Sequence, residues 1–115
     1  MKIIIAGAGA VGTHLAQLLS KDDQDIVVID ESQAKTDALT DSGNYDLMSI
    51  NLPPTSIAAM KEAGVQHANI FIAVTPDESR NLTCCMLAHT LGAKKTVARV
   101  DNAEYVKRQY IEIFR

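Results

Sequence analysis

Three of the six glycines fall in one six-residue stretch, Gly7-Ala8-Gly9-Ala10-Val11-Gly12, directly behind the apolar run Lys2–Ala6. Val11, Leu15, Leu18 and Leu19 follow at helical spacing. A branched apolar run, a glycine-rich turn and an amphipathic segment, in that order, describe a strand that passes tightly into a helix. This unit constrains everything after it. A strand that enters a helix at once returns to its own sheet as a parallel neighbour, and the crossover is right-handed.

The later apolar segments keep the same rhythm. Residues 25–30, 45–50, 69–74 and 96–100 read as four more strands. The first, second and fourth strands are almost continuously apolar, as expected where helices cover both faces of a parallel sheet. Leu82, Cys85, Met86 and His89 mark an apolar face on the helix after the fourth strand. Gly43, Gly64 and Gly92 stand where helices should stop. Thr75-Pro76-Asp77-Glu78 has the form of a capping box with proline at the first helical position. Asp101-Asn102-Ala103-Glu104 is a similar start, and residues 103–115 would place Val106, Tyr110, Ile113 and Phe114 on one helical face. The expected architecture is α/β: a Rossmann-like, doubly wound parallel sheet of order 3-2-1-4-5 at the least, with helices on both faces.

At 115 residues the chain has room for one domain, spanning 1–115, and not for a separate substrate domain. A net charge of -3 without a basic stripe argues against binding nucleic acid. No apolar run is long enough for direct membrane insertion, and the apolar start is too short for a signal peptide. Cys84 and Cys85 are adjacent, which suits neither a disulfide framework nor a metal knuckle. They read as small helix residues in a reducing cytoplasm.

The glycine spacing carries the chemistry. Gly7 permits the tight turn, Gly9 lets backbone approach a pyrophosphate, and Gly12 lets helix and strand pack closely. The phosphates would rest on the N–H groups where Ala10 and Val11 open the helix, at the positive end of its dipole. Asp30, at the end of the second strand, is placed to accept hydrogen bonds from an adenosine ribose. An acid there repels a 2′-phosphate, which favours NAD(H) over NADP(H), while ATP or ADP would satisfy the same contact. The plainer alternative is a glycine turn with a surface aspartate capping the next helix.

Thr75 follows the fourth strand, where its hydroxyl could reach a phosphate or the distal ribose. The capping box accounts for Thr75 and Glu78 without any ligand. Arg99 lies within an apolar segment, where a buried guanidinium needs a partner: a bound phosphate, or a carboxylate such as Asp77 or Glu78. His14, His67 and His89 read as surface or packing residues. No acid or base falls beside the crevice in a way that suggests hydride transfer. The residues argue for binding without catalysis.

With those segments in hand, the chain resembles the N-terminal domain of the TrkA family, the cytosolic nucleotide-binding (RCK or KTN) subunits of Trk/Ktr potassium uptake. The similarity runs nearly end to end. It rests on KIIIAGAGAVGTHLAQLL, on IVVIDES around Asp30, and above all on the run A-V-T-x-D-E-x-x-N-L followed by L-G-A-K-K-x-x-A-R-V. The resemblance implies a regulator gated by NAD(H), or by ATP/ADP as in Ktr-type relatives. It also implies a homodimer or higher ring lying against the inner face of the membrane through a potassium-translocating subunit. Carried over by position, Gly7, Gly9, Ala10, Val11 and Gly12 would hold phosphates and Asp30 the ribose. Thr75, Asp77, Glu78 and Arg99 would line the rest of the cleft. The sequence departs from the family after the third strand. Within Asn51-Leu52-Pro53-Pro54-Thr55-Ser56, Leu52 and Pro53 replace the usual Gly-Asp, and prolines remove backbone donors on the adenine side. Family members continue into further domains, so a piece of a longer chain is expected. The alternative reading is the cofactor-binding part of an NAD-dependent oxidoreductase.

Overall fold

A computed structural model describes residues 1–41 and 46–107. In chain order the elements are β1 (Lys2–Ala6), α1 (Ala10–Ser20), β2 (Asp25–Ile29), α2 (Gln33–Asp41), β3 (Met48–Ile50), α3 (Ile57–Ala63), β4 (Ile70–Ala73), α4 (Glu78–Thr90) and β5 (Lys95–Ala98). Short 3-10 turns occupy Val65–His67 and Ala103–Val106.

The strands form one parallel sheet of order β3-β2-β1-β4-β5, the order expected from the sequence. Ile5 sits level with Val28 on one side and Ile72 on the other. Right-handed crossovers dictate where the helices lie. Stepping from β1 to β2 to β3 keeps α1 and α2 on one face. The return to the far side of β1 sends α3 and α4 to the other. Two buried clusters show both layers. Ile3, Ile5, Ile26 and Val28 meet Ala16 and Leu39, while Ile4, Val27, Ile29 and Phe71 meet Met60, Cys84 and Ala88. Each fully buried branched side chain contributes about 1.5–3 kcal/mol before chain entropy is subtracted. Alternating side chains on doubly covered strands therefore account for the continuous apolar runs.

The helical faces match the expected ones at Leu15, Leu19 and Cys85 and differ elsewhere. In α1 the sheet is met by Gly12 and Ala16, with Leu15 and Leu19 half-buried beside them, while Val11 and Leu18 are exposed. In α4 the buried face is Asn81, Cys84, Cys85 and Ala88, and Met86 and His89 face outward. In both helices small side chains rather than large ones face the strands, because they allow a closer approach. Periodicity in large apolar residues misses a face of that kind.

Strand ends also shift. β5 stops at Ala98, so Arg99 lies beyond the apolar strand rather than inside it. Its N–H donates to the carbonyl of Ala73 at 2.9 Å, at the end of the ladder on this edge. Gly64 and Gly92 do follow α3 and α4 with positive φ. Gly43 lies outside the described residues, as do Tyr110, Ile113, Phe114 and the side chain of Val106, on which the expected terminal helical face depends.

Candidate functional site

Gly7 leaves β1 with φ +114, and its N–H donates to the carbonyl of Ile29 at 2.9 Å. A Cβ there would lie 3.1 Å from the backbone nitrogen of Thr75, so the conformation and the close approach both require glycine. Gly12 is held more tightly still. A Cβ would fall 1.8 Å from the Gly7 carbonyl oxygen, so α1 packs directly on the turn that precedes it. Gly9 is different: nothing lies within 4 Å of where its Cβ would be.

Gly9 is also the N-cap of α1. No side chain accepts a hydrogen bond there, and the first turn holds no acidic residue. The other three α-helices among the described residues are provided for. Ser32 accepts from the N–H of Lys35 ahead of α2, Ser56 accepts from Ala59 in α3, and Asp77 accepts from Ser79 and Arg80 in α4. The start of α1 thus presents unpaired N–H groups and the positive end of a helix dipole. Ala10 and Val11, both exposed, stand at this open end. A cleft of about 520 Å³ runs between α1 and α2, with Gly9, Ala10, Thr13, His14, Lys35 and Leu39 in its walls. A second cleft, of about 350 Å³, lies at the start of β2 and β3 and is lined by Asp23, Asp25 and Asp46. Its charge is wrong for an anion.

Asp30 is 8% exposed and stands against the glycine loop. Its Oδ2 accepts from the N–H of Ala8 at 2.8 Å and its Oδ1 from the N–H of Ser32 at 2.8 Å. The carboxylate therefore clamps the glycine loop to the end of β2. Each oxygen keeps capacity for one more donor. On the neighbouring loop, the side-chain amide of Asn51 donates to the hydroxyl of Thr36 at 2.5 Å, with Leu52 and Pro53 exposed beyond it.

The residues after β4 are arranged differently from the sequence reading. Thr75 is buried and is not the cap of α4. Its N–H and its hydroxyl both donate to Oδ1 of Asn81, at 2.9 and 2.7 Å. Asp77 is the cap, and Pro76 precedes the helix instead of opening it. Glu78 does not reach back to close a capping box. Its Oε2 accepts from the N–H groups of Asp101 and Asn102, at 2.6 and 2.8 Å. Arg99 is not a buried cation. Its side chain is 44% exposed and its nearest acid is Asp101, at 4.0 Å, rather than Asp77 or Glu78. A strand that ends at Ala98 releases Arg99 from the sheet, which removes the need for a buried partner. So Gly7, Gly9, Gly12 and Asp30 form one assembly with Thr75 packed behind it, while Asp77, Glu78 and Arg99 are committed to the start of α4 and the loop after β5.

Two features escaped the sequence reading. Asn81, fully buried, also donates from its amide to the carbonyls of Thr75 and Arg99, both at 2.9 Å. It joins α4 to the ends of β4 and β5. The signal was present as the asparagine of A-V-T-x-D-E-x-x-N-L, but a polar residue on a helix gives no warning that it faces inward. The second feature is an ion pair between Glu31 and Arg80, which are 49 positions apart. Both guanidinium Nη atoms donate, one to each carboxylate oxygen, at 2.9 and 2.5 Å. The hydrogen bond from Arg80 holds the Glu31 carboxyl below its usual range. Separation in sequence hides such a pair.

Burial pushes the thiols of Cys84 and Cys85 up to about 11 and about 12, so both stay protonated and weakly nucleophilic at neutral pH. Cys85 Sγ donates to the carbonyl of Val97. Among the described residues no group of three or more His, Cys, Asp or Glu could hold a metal, and no helix is long and apolar enough to cross a membrane.

Comparison with known proteins identifies the family and the fold. The family model for the TrkA-N domain matches residues 3–113. The Trk system potassium uptake protein TrkA homolog of Archaeoglobus fulgidus is 35% identical over 112 residues, covering 97% of this chain and 25% of its own length. The chain thus spans about a quarter of that relative. Among solved structures, the NAD(P)-binding domain of an exopolyphosphatase-related protein from Archaeoglobus fulgidus is similar with a TM-score of 0.79. That match is 19% identical and covers 96% of this chain and 80% of the other. The Kef CTD of Shewanella denitrificans in its AMP-bound form gives a TM-score of 0.77 at 21% identity, over 98% of this chain and 67% of that one. Those two likenesses show the fold. The glycine loop, the aspartate clamped to it and a family match over almost the whole length make this chain a member of the TrkA-N domain family.

Proposed function

We propose that this chain is the nucleotide-binding domain of a cytosolic regulatory subunit of a potassium uptake system. An adenine nucleotide binds over the glycine loop, NAD(H) in the first place and ATP or ADP in the second. The observation that carries the reading is the start of α1, the one described helix whose N-terminus no side chain caps, with Asp30 beside it. Pyrophosphate oxygens take the free N–H groups of the first turn. The ribose hydroxyls donate to the remaining lone pairs of Asp30. Regulation needs only that the ligand bind one arrangement more tightly than another, because equal affinity shifts nothing. A dimer or ring of such subunits, docked on a Trk/Ktr-type membrane subunit at the cytoplasmic face, converts that difference into a change of flux.

Calorimetric titration of the chain with NADH, NAD, NADPH, ATP and ADP tests the binding step. NADH, ATP or ADP is expected to bind more tightly than NADPH. Asp30→Ala should weaken NADH binding about tenfold or more, with thermal unfolding followed in parallel because Asp30 also anchors the loop. Tightest binding of NADPH would remove Asp30 from the ribose site. Turnover of NADH with a small carbonyl would point to the oxidoreductase alternative instead.

A further inference from the structure

Glu31 follows Asp30 directly at the end of β2, and Arg80 stands in the first turn of α4, behind β4. β1 lies between those two strands. The pair therefore spans the carboxyl end of β1, a reach of roughly 10 Å between strands that each flank it. That is where the glycine loop leaves the sheet. The pair also joins the two helix layers, since Glu31 leads into α2 while Arg80 belongs to α4 on the opposite face. Both partners are partly shielded, with side chains 28% and 49% exposed for Arg80 and Glu31.

The contact has the parallel, two-pronged form in which a guanidinium binds a carboxylate or a phosphate equally well. Glu31 thus occupies the fork of Arg80 as an anionic ligand would. Because Glu31 directly follows Asp30, its contact with Arg80 holds that guanidinium beside the end of β2 where Asp30 meets the glycine loop. Other cations nearby are less suited. Arg99 turns toward Asp101 outside the sheet, and Lys35 lines the α1–α2 cleft as a single flexible ammonium.

We propose that Glu31 and Arg80 form a strap across the carboxyl end of β1, beside the glycine loop, and that a nucleotide opens it by drawing Arg80 onto its phosphate. The proposal rests on the nucleotide-binding reading. Glu31 is then an internal competitor for the cation the ligand needs. Closed, the strap ties the start of α2 to the start of α4. Open, it frees the start of α2 from the start of α4, which is a route from a bound nucleotide to a local change of shape.

ADP is the probe, because it is the part common to NAD(H) and the adenine nucleotides. Its affinity is measured for the wild type, Glu31→Gln and the double variant Glu31→Gln/Arg80→Gln, with circular dichroism confirming that all three are folded. Removing the competitor should tighten ADP binding about threefold to fivefold, the range of a partly exposed ion pair. The double variant should lose that gain. ADP binding by Glu31→Gln alone would support the strap as well. If the wild type binds ADP and Glu31→Gln binds it no more tightly, the strap is overturned while the nucleotide reading stands. A gain retained in the double variant also overturns it, because Arg80 then makes no contact with phosphate. Failure of all three folded chains to bind ADP at millimolar concentration overturns the nucleotide reading, and the strap with it.

Discussion

Gly9 and Gly12 belong to one motif yet serve opposite purposes. Gly12 is fully enclosed, and Gly12→Ala would drive a methyl group into the Gly7 carbonyl 1.8 Å away. That is an overpacking no flexible neighbour can absorb, so a loss of more than about 3 kcal/mol in urea unfolding is expected. Gly9 faces open space within the cleft. Gly9→Ala should lower stability by no more than about 1 kcal/mol, the cost of a poorer N-cap, yet weaken ADP binding at least tenfold by occupying the approach of the phosphates. Equal losses of affinity and stability in the two variants would contradict this division. The same residue scale corrects the reading of Arg99. Its apolar neighbours imply burial, but a strand that ends at Ala98, two residues earlier than expected, leaves it exposed.

Among the elements, α4 shows how local signals can be right in kind and wrong in detail. Thr75-Pro76-Asp77-Glu78 does announce a helix, but the cap is Asp77, and Glu78 is drawn to the loop after β5. A backbone N–H pair brought in from a distant segment outcompetes the local partner. Asn81 is the other long-range anchor. Asn81→Ala would remove the partner of the Thr75 N–H and of two carbonyls, leaving the Thr75 hydroxyl only the carbonyl of Asp77. A loss of about 2–4 kcal/mol is expected, with faster amide hydrogen exchange at Thr75. Unchanged protection there would show that Asn81 does not hold the two strand ends together. Asn81→Asp keeps an acceptor for Thr75 but sets a buried carboxylate oxygen against the two carbonyls, so its loss should be at least as large at neutral pH. The element scale also bears on pH. The strap keeps Glu31 ionised below the ordinary carboxylate range, so its contribution is present above that range and is lost as pH falls through the lowered value. Because the pair is partly exposed, the effect on stability is small.

At the scale of the whole molecule, both helix layers share a single sheet, and Phe71 sits fully buried in the larger core. Phe71→Ala should cost about 3–5 kcal/mol, and circular dichroism and hydrogen exchange should lose the two layers in one transition. Separate transitions would mean that the layers are independent units. The sheet order and the two-sided layering were legible in advance because they follow from period, handedness and chain length, which local residues specify. The glycine loop and Asp30 were legible for the same reason: a tight turn into a helix and an acid at the next strand's end are short-range patterns. What the sequence alone determined is therefore the α/β architecture, the glycine turn between β1 and α1, and the place of the aspartate. Only the tertiary structure decided which face of α1 and α4 is buried, where β5 ends, and which partners Glu31, Thr75, Glu78, Arg80, Asn81 and Arg99 take. Each of those outcomes depends on groups brought together from different strand ends. A hydrogen bond or ion pair forms with whichever partner the fold brings within about 3 Å, a distance that spacing along the chain does not encode.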